Sequence, residues 1–214
     1  MKYELIVFDM DGTILDTLED LKNSMNYTLR LHNMPERTLD EIRSFVGNGI
    51  RRLIELAVVD GTSEDMIKTI HKDFMKHYEV HCADFTRPYD GIKDLIKELK
   101  KRGYKTAVVS NKADAAVQDL CVQYFPGLFD LAIGERPETA KKPAPDMVNL
   151  ALEQLQIPRE KAIYIGDSDV DVATARNSNL DMIAVDWGFR SREFLINQGA
   201  EIIVSKPEEI LDLV

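Results

Sequence analysis

Four short polar segments concentrate the groups that could do chemistry. They are Asp9-Met10-Asp11-Gly12-Thr13, Ser110-Asn111-Lys112, Lys141-Lys142-Pro143 and Gly166-Asp167-Ser168-Asp169-Val170-Asp171. Brought together they would supply several carboxylates, with the Ser110 hydroxyl and the Lys142 ammonium beside them, a set that suits phosphoryl transfer. Clustered carboxylates repel one another unless a cation sits among them. Mg²⁺ takes oxygen ligands and is commonly held by one or two carboxylates plus a substrate phosphate. Such an ion would neutralise Asp9 and a phosphate oxygen enough for the carboxylate to approach an anionic ester. Attack by Asp9 on phosphorus would then form an aspartyl-phosphate and divide one hard step into two. Asp11 would protonate the leaving oxygen and later deprotonate water. Gly12 permits the sharp backbone turn between them. Lys142 would place a positive charge on the phosphoryl oxygens, and Ser110 a hydroxyl hydrogen bond.

The elements that must position these segments follow from hydrophobic patterning. Leu5-Ile6-Val7-Phe8 reads as a buried strand ending in Asp9. Over 17–87 the apolar residues recur at helical spacing instead: Leu18, Leu21, Met25 and Leu29; then Ile50, Leu53, Ile54 and Ala57; then Met66, Ile67, Ile70, Phe74 and Tyr78 behind the cap-like Ser63. Three or four helices are expected there. Strand-like runs return at 106–109, 128–133, 162–165, 182–185 and 202–204, with helical stretches such as 91–102 between them. Strands alternating with helices imply a parallel sheet covered on both faces. The expected architecture is therefore α/β: a doubly wound parallel sheet formed by 1–16 and 88–214, with a small all-helical cap domain, 17–87, inserted after the first strand. In such sheets ligands bind beyond the carboxyl ends of the strands, where the four polar segments fall.

Composition narrows the class further. The chain has 214 residues, long enough for a hydrophobic core without disulfides. With 27 basic and 37 acidic residues its net charge is −10, which argues against nucleic acid as a partner. Cys82 and Cys121 form no Cys-x-x-Cys pair, which speaks against a disulfide framework or a cysteine zinc site and suits a reducing cytoplasm. No stretch approaches the ~20 apolar residues of a membrane helix. A monomer or homodimer in the cytoplasm is the expectation.

Asp9-Met10-Asp11-Gly12-Thr13 resembles the Asp-x-Asp-Gly-Thr signature of the haloacid dehalogenase superfamily of hydrolases. Ser110, Lys142 in Lys-Pro, and Gly166-Asp167…Asp171 resemble its other three motifs, in the same order. The resemblance covers the whole chain, helical insert included. It implies Asp9 as nucleophile, Asp11 as acid and base, and Ser110 and Lys142 as phosphate-binding catalytic groups, with Thr13 and Asn111 beside them on the substrate. It implies Mg²⁺ held by Asp9, the Asp11 main chain and Asp167. Asp171 serves as a direct or supporting ligand, selected over Asp169 by spacing alone. An Asp at position 11 points to phosphate chemistry instead of carbon–halogen cleavage. The Gly166-Asp167 form and small cap are closer to the phosphatase branch than to the mutases.

Residues 45–53, Phe-Val-Gly-Asn-Gly-Ile-Arg-Arg-Leu, resemble the cap substrate loop of phosphoglycolate phosphatases, as does the later Asp186-Trp187-Gly188-Phe189-Arg190-Ser191. Gly47 and Asn48 would approach a small anion there, and Arg52 or Arg190 would pair with a substrate carboxylate. The implied activity is a Mg²⁺-dependent phosphatase for a small phosphate ester, 2-phosphoglycolate among the candidates. The rivals are a phosphomutase, a phospho-acceptor signalling domain and a non-catalytic binding protein. Features outside this set read as structural. His77 and His81, four apart on a helix, are expected to be a packed or solvated face; Trp187 is expected to pack.

Overall fold

The computed structural model describes residues 2–214. The chain divides into two compact units, one of residues 2–15 and 88–214 and one of residues 16–87. The first is built on six strands, β1 (Leu5–Phe8), β4 (Lys105–Ala113), β5 (Leu131–Glu135), β6 (Ala162–Gly166), β7 (Asp181–Val185) and β8 (Ile203–Val204). Their order is β5-β4-β1-β6-β7-β8, and every pairing is parallel. The expected doubly wound sheet is thus present. Its central strand β1 is apolar throughout and wholly buried, as a strand covered on both faces must be. It pairs Leu5 with Lys105 and Ala162, and Phe8 with Val108 and Ile165.

Strand order runs one way from β1 through β4 to β5 and the other way through β6 to β8. The chain reverses at β1, which makes the carboxyl end of β1 the switch point of the sheet. Helices α5 (Ile92–Lys101), α6 (Asp114–Tyr124), α7 (Asp146–Leu155), α8 (Asp169–Asn177) and α9 (Arg192–Gln198) complete this unit. Met147, Val148, Ala151 and Leu152 of α7 pack on Leu5, Val7, Val109 and Tyr164, alternate residues of three neighbouring strands.

Two strands differ from their expected extents. β5 begins at Leu131, not 128, because the preceding residues are used otherwise. Leu128 closes a turn onto the Phe125 carbonyl, Phe129 packs edge-on against Phe8 and Phe125, and the Asp130 carboxylate accepts from the Thr106 N–H at 2.8 Å. β4 continues through the polar segment to Ala113, but its register against β5 shifts between Val109 and Ala113. That irregularity lifts Ser110, Asn111 and Lys112 out of the regular ladder.

The second unit is four helices, α1 (Leu18–Leu31), α2 (Leu39–Phe45), α3 (Ile50–Ala57) and α4 (Glu64–His81). Leu21, Met25, Leu29, Ile42, Leu53, Ile54, Ile70 and Phe74 are its buried core. Thr38 and Glu41 form a reciprocal capping box at α2, and the Ser63 hydroxyl accepts from Met66 N at the start of α4. Asp20, buried on α1, accepts backbone N–H bonds from Phe85 and Thr86 at 3.0 and 2.8 Å and so fixes the segment that ends the unit. The chain passes between units at β2 (Leu15–Asp16) and β3 (Arg87–Pro88), short strands that pair with each other.

Candidate active site

Asp9 is the first residue beyond β1. Its N–H donates to the Ile165 carbonyl at 2.9 Å, continuing the ladder by one bond and fixing the Cα at the sheet edge. Lys142 reaches it from the loop after β5, with Nζ 2.7 Å from Asp9 Oδ1 and 2.8 Å from Asp171 Oδ1. The same ammonium donates to the Tyr164 hydroxyl at 3.0 Å, and that hydroxyl donates to Asp171 Oδ1 at 3.0 Å. Asp171 Oδ2 accepts from the Ser168 hydroxyl at 2.6 Å and the Ser168 N–H at 3.1 Å, which is also the capping box that starts α8. Both Asp171 oxygens therefore carry protein donors, and Asp171 holds Lys142 in place.

Asp167 stands between two loops. Its Oδ1 accepts from the Thr13 hydroxyl at 3.1 Å and its Oδ2 from the Phe189 N–H at 2.7 Å. A carboxylate has about four acceptor positions, so lone pairs remain on both oxygens. Oxygens of Asp9, Asp167 and Asp171 lie within 4.8 Å of one another, and all three residues are buried. Asp11 is less enclosed, and its carboxylate is 3.0 Å from Nζ of Lys112, which is itself almost fully buried.

The electrostatics show excess negative charge. Burial, reinforced by the neighbouring Asp171, pushes the Asp9 carboxyl up to about 7 even with Lys142 pulling the other way. Burial, then the charges of Asp171 and Asp9, push Asp167 well above the usual carboxylate range. Burial works against the Lys142 ammonium, but Asp171 and Asp9 outweigh it and hold the group charged well above its ordinary value. Formally, four carboxylates face two ammonium groups, which leaves two negative charges, the complement of a divalent cation. An all-oxygen donor set of this kind suits a hard divalent cation, Mg²⁺ among them.

The remaining expected residues are distributed as follows. Ser110 is buried beside this cluster on β4, where its hydroxyl accepts from Lys112 N at 3.3 Å. The Asn111 amide donates to the Lys142 carbonyl at 3.0 Å and accepts from Lys142 N–H at 2.8 Å, so it fixes the lysine's backbone. Thr13 is likewise fully buried and engaged with Asp167. Asp169 is outside the cluster; its carboxylate lies 3.5 Å from Arg190. Gly47 and Asn48 lie in the loop between α2 and α3, Gly47 with φ of 125°. Arg52 is a half-exposed residue of α3 paired with Glu55 at 3.1 Å, and Arg51 pairs with Glu55 and Glu64.

His77 stacks between Tyr27 and His81 and meets the Ser24 hydroxyl at 3.0 Å, while His81 meets Asp84 at 2.8 Å. They are packed within the helical unit. Sequence reasoning missed Tyr164 as a partner of the site, and placed Ser168 and Lys112 in its polar segments without giving either a role. Tyr164 is hidden as one more apolar residue of a buried strand. Its hydroxyl, needing a partner in a dry interior, was the available signal.

The family model for haloacid dehalogenase-like hydrolases matches residues 6–185. A phosphoglycolate phosphatase of Aquifex aeolicus is 30% identical over 210 residues, covering 98% of this chain and 95% of its own. The N-acetylmuramic acid 6-phosphate phosphatase of Pseudomonas aeruginosa is 29% identical, covering 100% of this chain and 95% of its own. Among solved structures, one from Lactobacillus delbrueckii subsp. bulgaricus, described as a candidate phosphoglycolate phosphatase, superposes with a TM-score of 0.95 at 39% identity, covering 100% of this chain and 98% of that one. The chain belongs to the haloacid dehalogenase-like hydrolases, and within them to the phosphatase enzymes that resemble phosphoglycolate phosphatases. No helix among the described residues is long and apolar enough to cross a membrane.

Proposed function

We propose that this phosphatase hydrolyses a small phosphorylated metabolite, with 2-phosphoglycolate the leading candidate, through an aspartyl-phosphate on Asp9 and with Mg²⁺ bound by Asp9, the Asp11 main chain and Asp167. The observation that carries this reading is the buried trio Asp9, Asp167 and Asp171, with Lys142 bridging the first and last. Bound Mg²⁺ would screen the carboxylates from an incoming phosphate and stabilise the charge on its oxygens. Asp9 attacks phosphorus; the bond to the ester oxygen breaks and Asp11 gives that oxygen a proton. Water then attacks the acyl phosphate with Asp11 taking its proton, which frees phosphate and restores Asp9. Lys142, held by Asp171, Tyr164 and the Asn111 clasp, places its charge where the phosphoryl oxygens arrive. Ser110 donates its hydroxyl to the same group.

Choice among esters is assigned to Gly47, Asn48 and Arg52 on the helical unit. The relatives named above act on different phosphate esters, so the shared core leaves this choice to residues outside it. The test is phosphate release from a panel of small esters that includes 2-phosphoglycolate, with Mg²⁺ or with chelator, beside Asp9→Asn. Metal-dependent release that vanishes in the variant is expected. Arg52→Ala should raise KM for carboxylate-bearing esters and leave neutral alkyl phosphates unaffected. Release that continues in Asp9→Asn would remove Asp9 as nucleophile.

A further inference from the structure

The loop between β7 and α9 bears on Asp167 in three ways. The Phe189 N–H donates to Asp167 Oδ2 at 2.7 Å. The Trp187 indole N–H donates to the Thr13 carbonyl at 3.0 Å, and Thr13 in turn donates its hydroxyl to Asp167 Oδ1. Between them, Gly188 comes so close that a Cβ there would collide with Asp167 Oδ2 and with the Gly12 carbonyl oxygen. A Cβ on Gly12 would collide with the same carboxylate from the other side. The Asp167 side chain thus lies between two backbone segments that carry no side chains. Gly12, with φ of +88°, is required by conformation as well as by space. Gly188 does not have a left-handed φ, so only the space it leaves open requires glycine there.

We propose that Trp187, Gly188 and Phe189 are positioning residues for the metal: they hold the Asp167 carboxylate at the spot from which it reaches the ion. This rests on the Mg²⁺ reading above. A metal ligand must be fixed closely in distance and direction, and the groups behind it do the fixing. Here those groups come from a loop some twenty residues further along the chain. One backbone donor orients one carboxylate oxygen. The indole anchors the carbonyl of the residue that orients the other. The glycine leaves the room that both need. Enlarging residue 188 must move either the carboxylate or the Thr13 loop, and both carry the ligand away from its neighbours Asp9 and Asp171.

The test is calorimetric titration of Mg²⁺ into the full-length wild type, Gly188→Ala and Trp187→Phe, with thermal melts of each in chelator. The wild type should take up one ion. Gly188→Ala should bind it about 10–100-fold more weakly, the range found when groups supporting a metal ligand are removed. Trp187→Phe, which deletes one N–H and keeps an aromatic ring, should weaken binding by less, with the chelator melt close to wild type. Raising Mg²⁺ should restore turnover in both variants, a rescue that a general folding defect would not show. Wild-type affinity in a folded Gly188→Ala would overturn the proposal. If that variant does not fold, wild-type affinity in Trp187→Phe would do so. A wild type that takes up no Mg²⁺ would instead remove the metal reading itself, and the positioning role with it.

Discussion

Lys112 Nζ and Asp11 Oδ1 are 3.0 Å apart, and the lysine that makes this contact is almost fully buried while the carboxylate stays partly open. The proposed acid and base is therefore tethered from the polar end of β4, two residues beyond Ser110. The two residues should act as a unit. Lys112→Met and Asp11→Asn, alone and combined, should show a coupling of about 0.5–3 kcal/mol in chemical denaturation, the range for residues in direct contact. Strict additivity would show the contact to be idle.

Asp11→Asn should slow both phosphoenzyme formation and its hydrolysis by about 10²–10⁴-fold, the usual contribution of a positioned proton donor and acceptor. Rapid-quench measurement of the two half-reactions checks it. An effect on only one of them would divide the roles between Asp11 and another group.

Asp171→Ala should destabilise the protein more than Asp9→Ala. Asp171 is fully buried and gives Lys142, Tyr164 and Ser168 their common acceptor. Removing one partner of a buried ion pair costs about 3–5 kcal/mol. Asp9→Ala deletes a carboxyl that is itself pushed up by burial and repulsion, so part of its loss is relief. Urea denaturation in chelator separates the two.

The raised Asp9 fixes the sign of a pH effect. Its carboxyl titrates near 7 in the folded protein and near the ordinary 3.8 when unfolded. Between those values the native state binds the additional proton, so metal-free stability should fall as pH rises from about 4 to 7, by about 1.4 kcal/mol per pH unit for each such proton. On the proposed reading, Mg²⁺ at Asp9 would compete with the same proton. Its uptake should release protons below pH 7, and its apparent Kd should drop as pH rises through that range. Titrations in buffers of different ionisation heat read the protons directly.

Much of this was legible in the sequence because two kinds of signal coincide. The runs at 5–8, 106–109 and 162–165 are buried on both faces, and a fully buried strand has no alternation to misread. Polar residues that follow such runs must lie at the carboxyl edge of a parallel sheet, which is why Asp9, Ser110 and Asp167 could be grouped without coordinates. The run at 128–133 reads too long because an apolar turn and an apolar strand look alike by composition; Phe129 is half-buried and spends its ring on packing against Phe8, not on strand pairing.

Motif spacing selected Asp171, but nothing in the chemistry of the two carboxylates separated it from Asp169. At about 100° per residue on α8, two positions apart means nearly opposite faces, so one meets Arg190 and the other the buried lysine. For Lys112, Ser168, Tyr164 and Gly188 the role stayed hidden for a related reason. Each matters through a partner distant in sequence, and nothing local in a strand tyrosine or a loop glycine announces which partner that is.

The pairing of β2 with β3 has a consequence for how such an enzyme can diversify. Neighbouring strands lie about 4.8 Å apart, so the two ends left by lifting out the helical segment already sit side by side. A hairpin turn would close that gap, and so would any other folded segment whose own ends meet. The ribbon is a graft point. The insert can be lengthened, traded or redesigned between residues 16 and 87 while β1 and β6, which lead into Asp9 and Asp167, keep their register. On the assignment proposed above, substrate range would be inherited with the cassette and bond-breaking chemistry with the chassis.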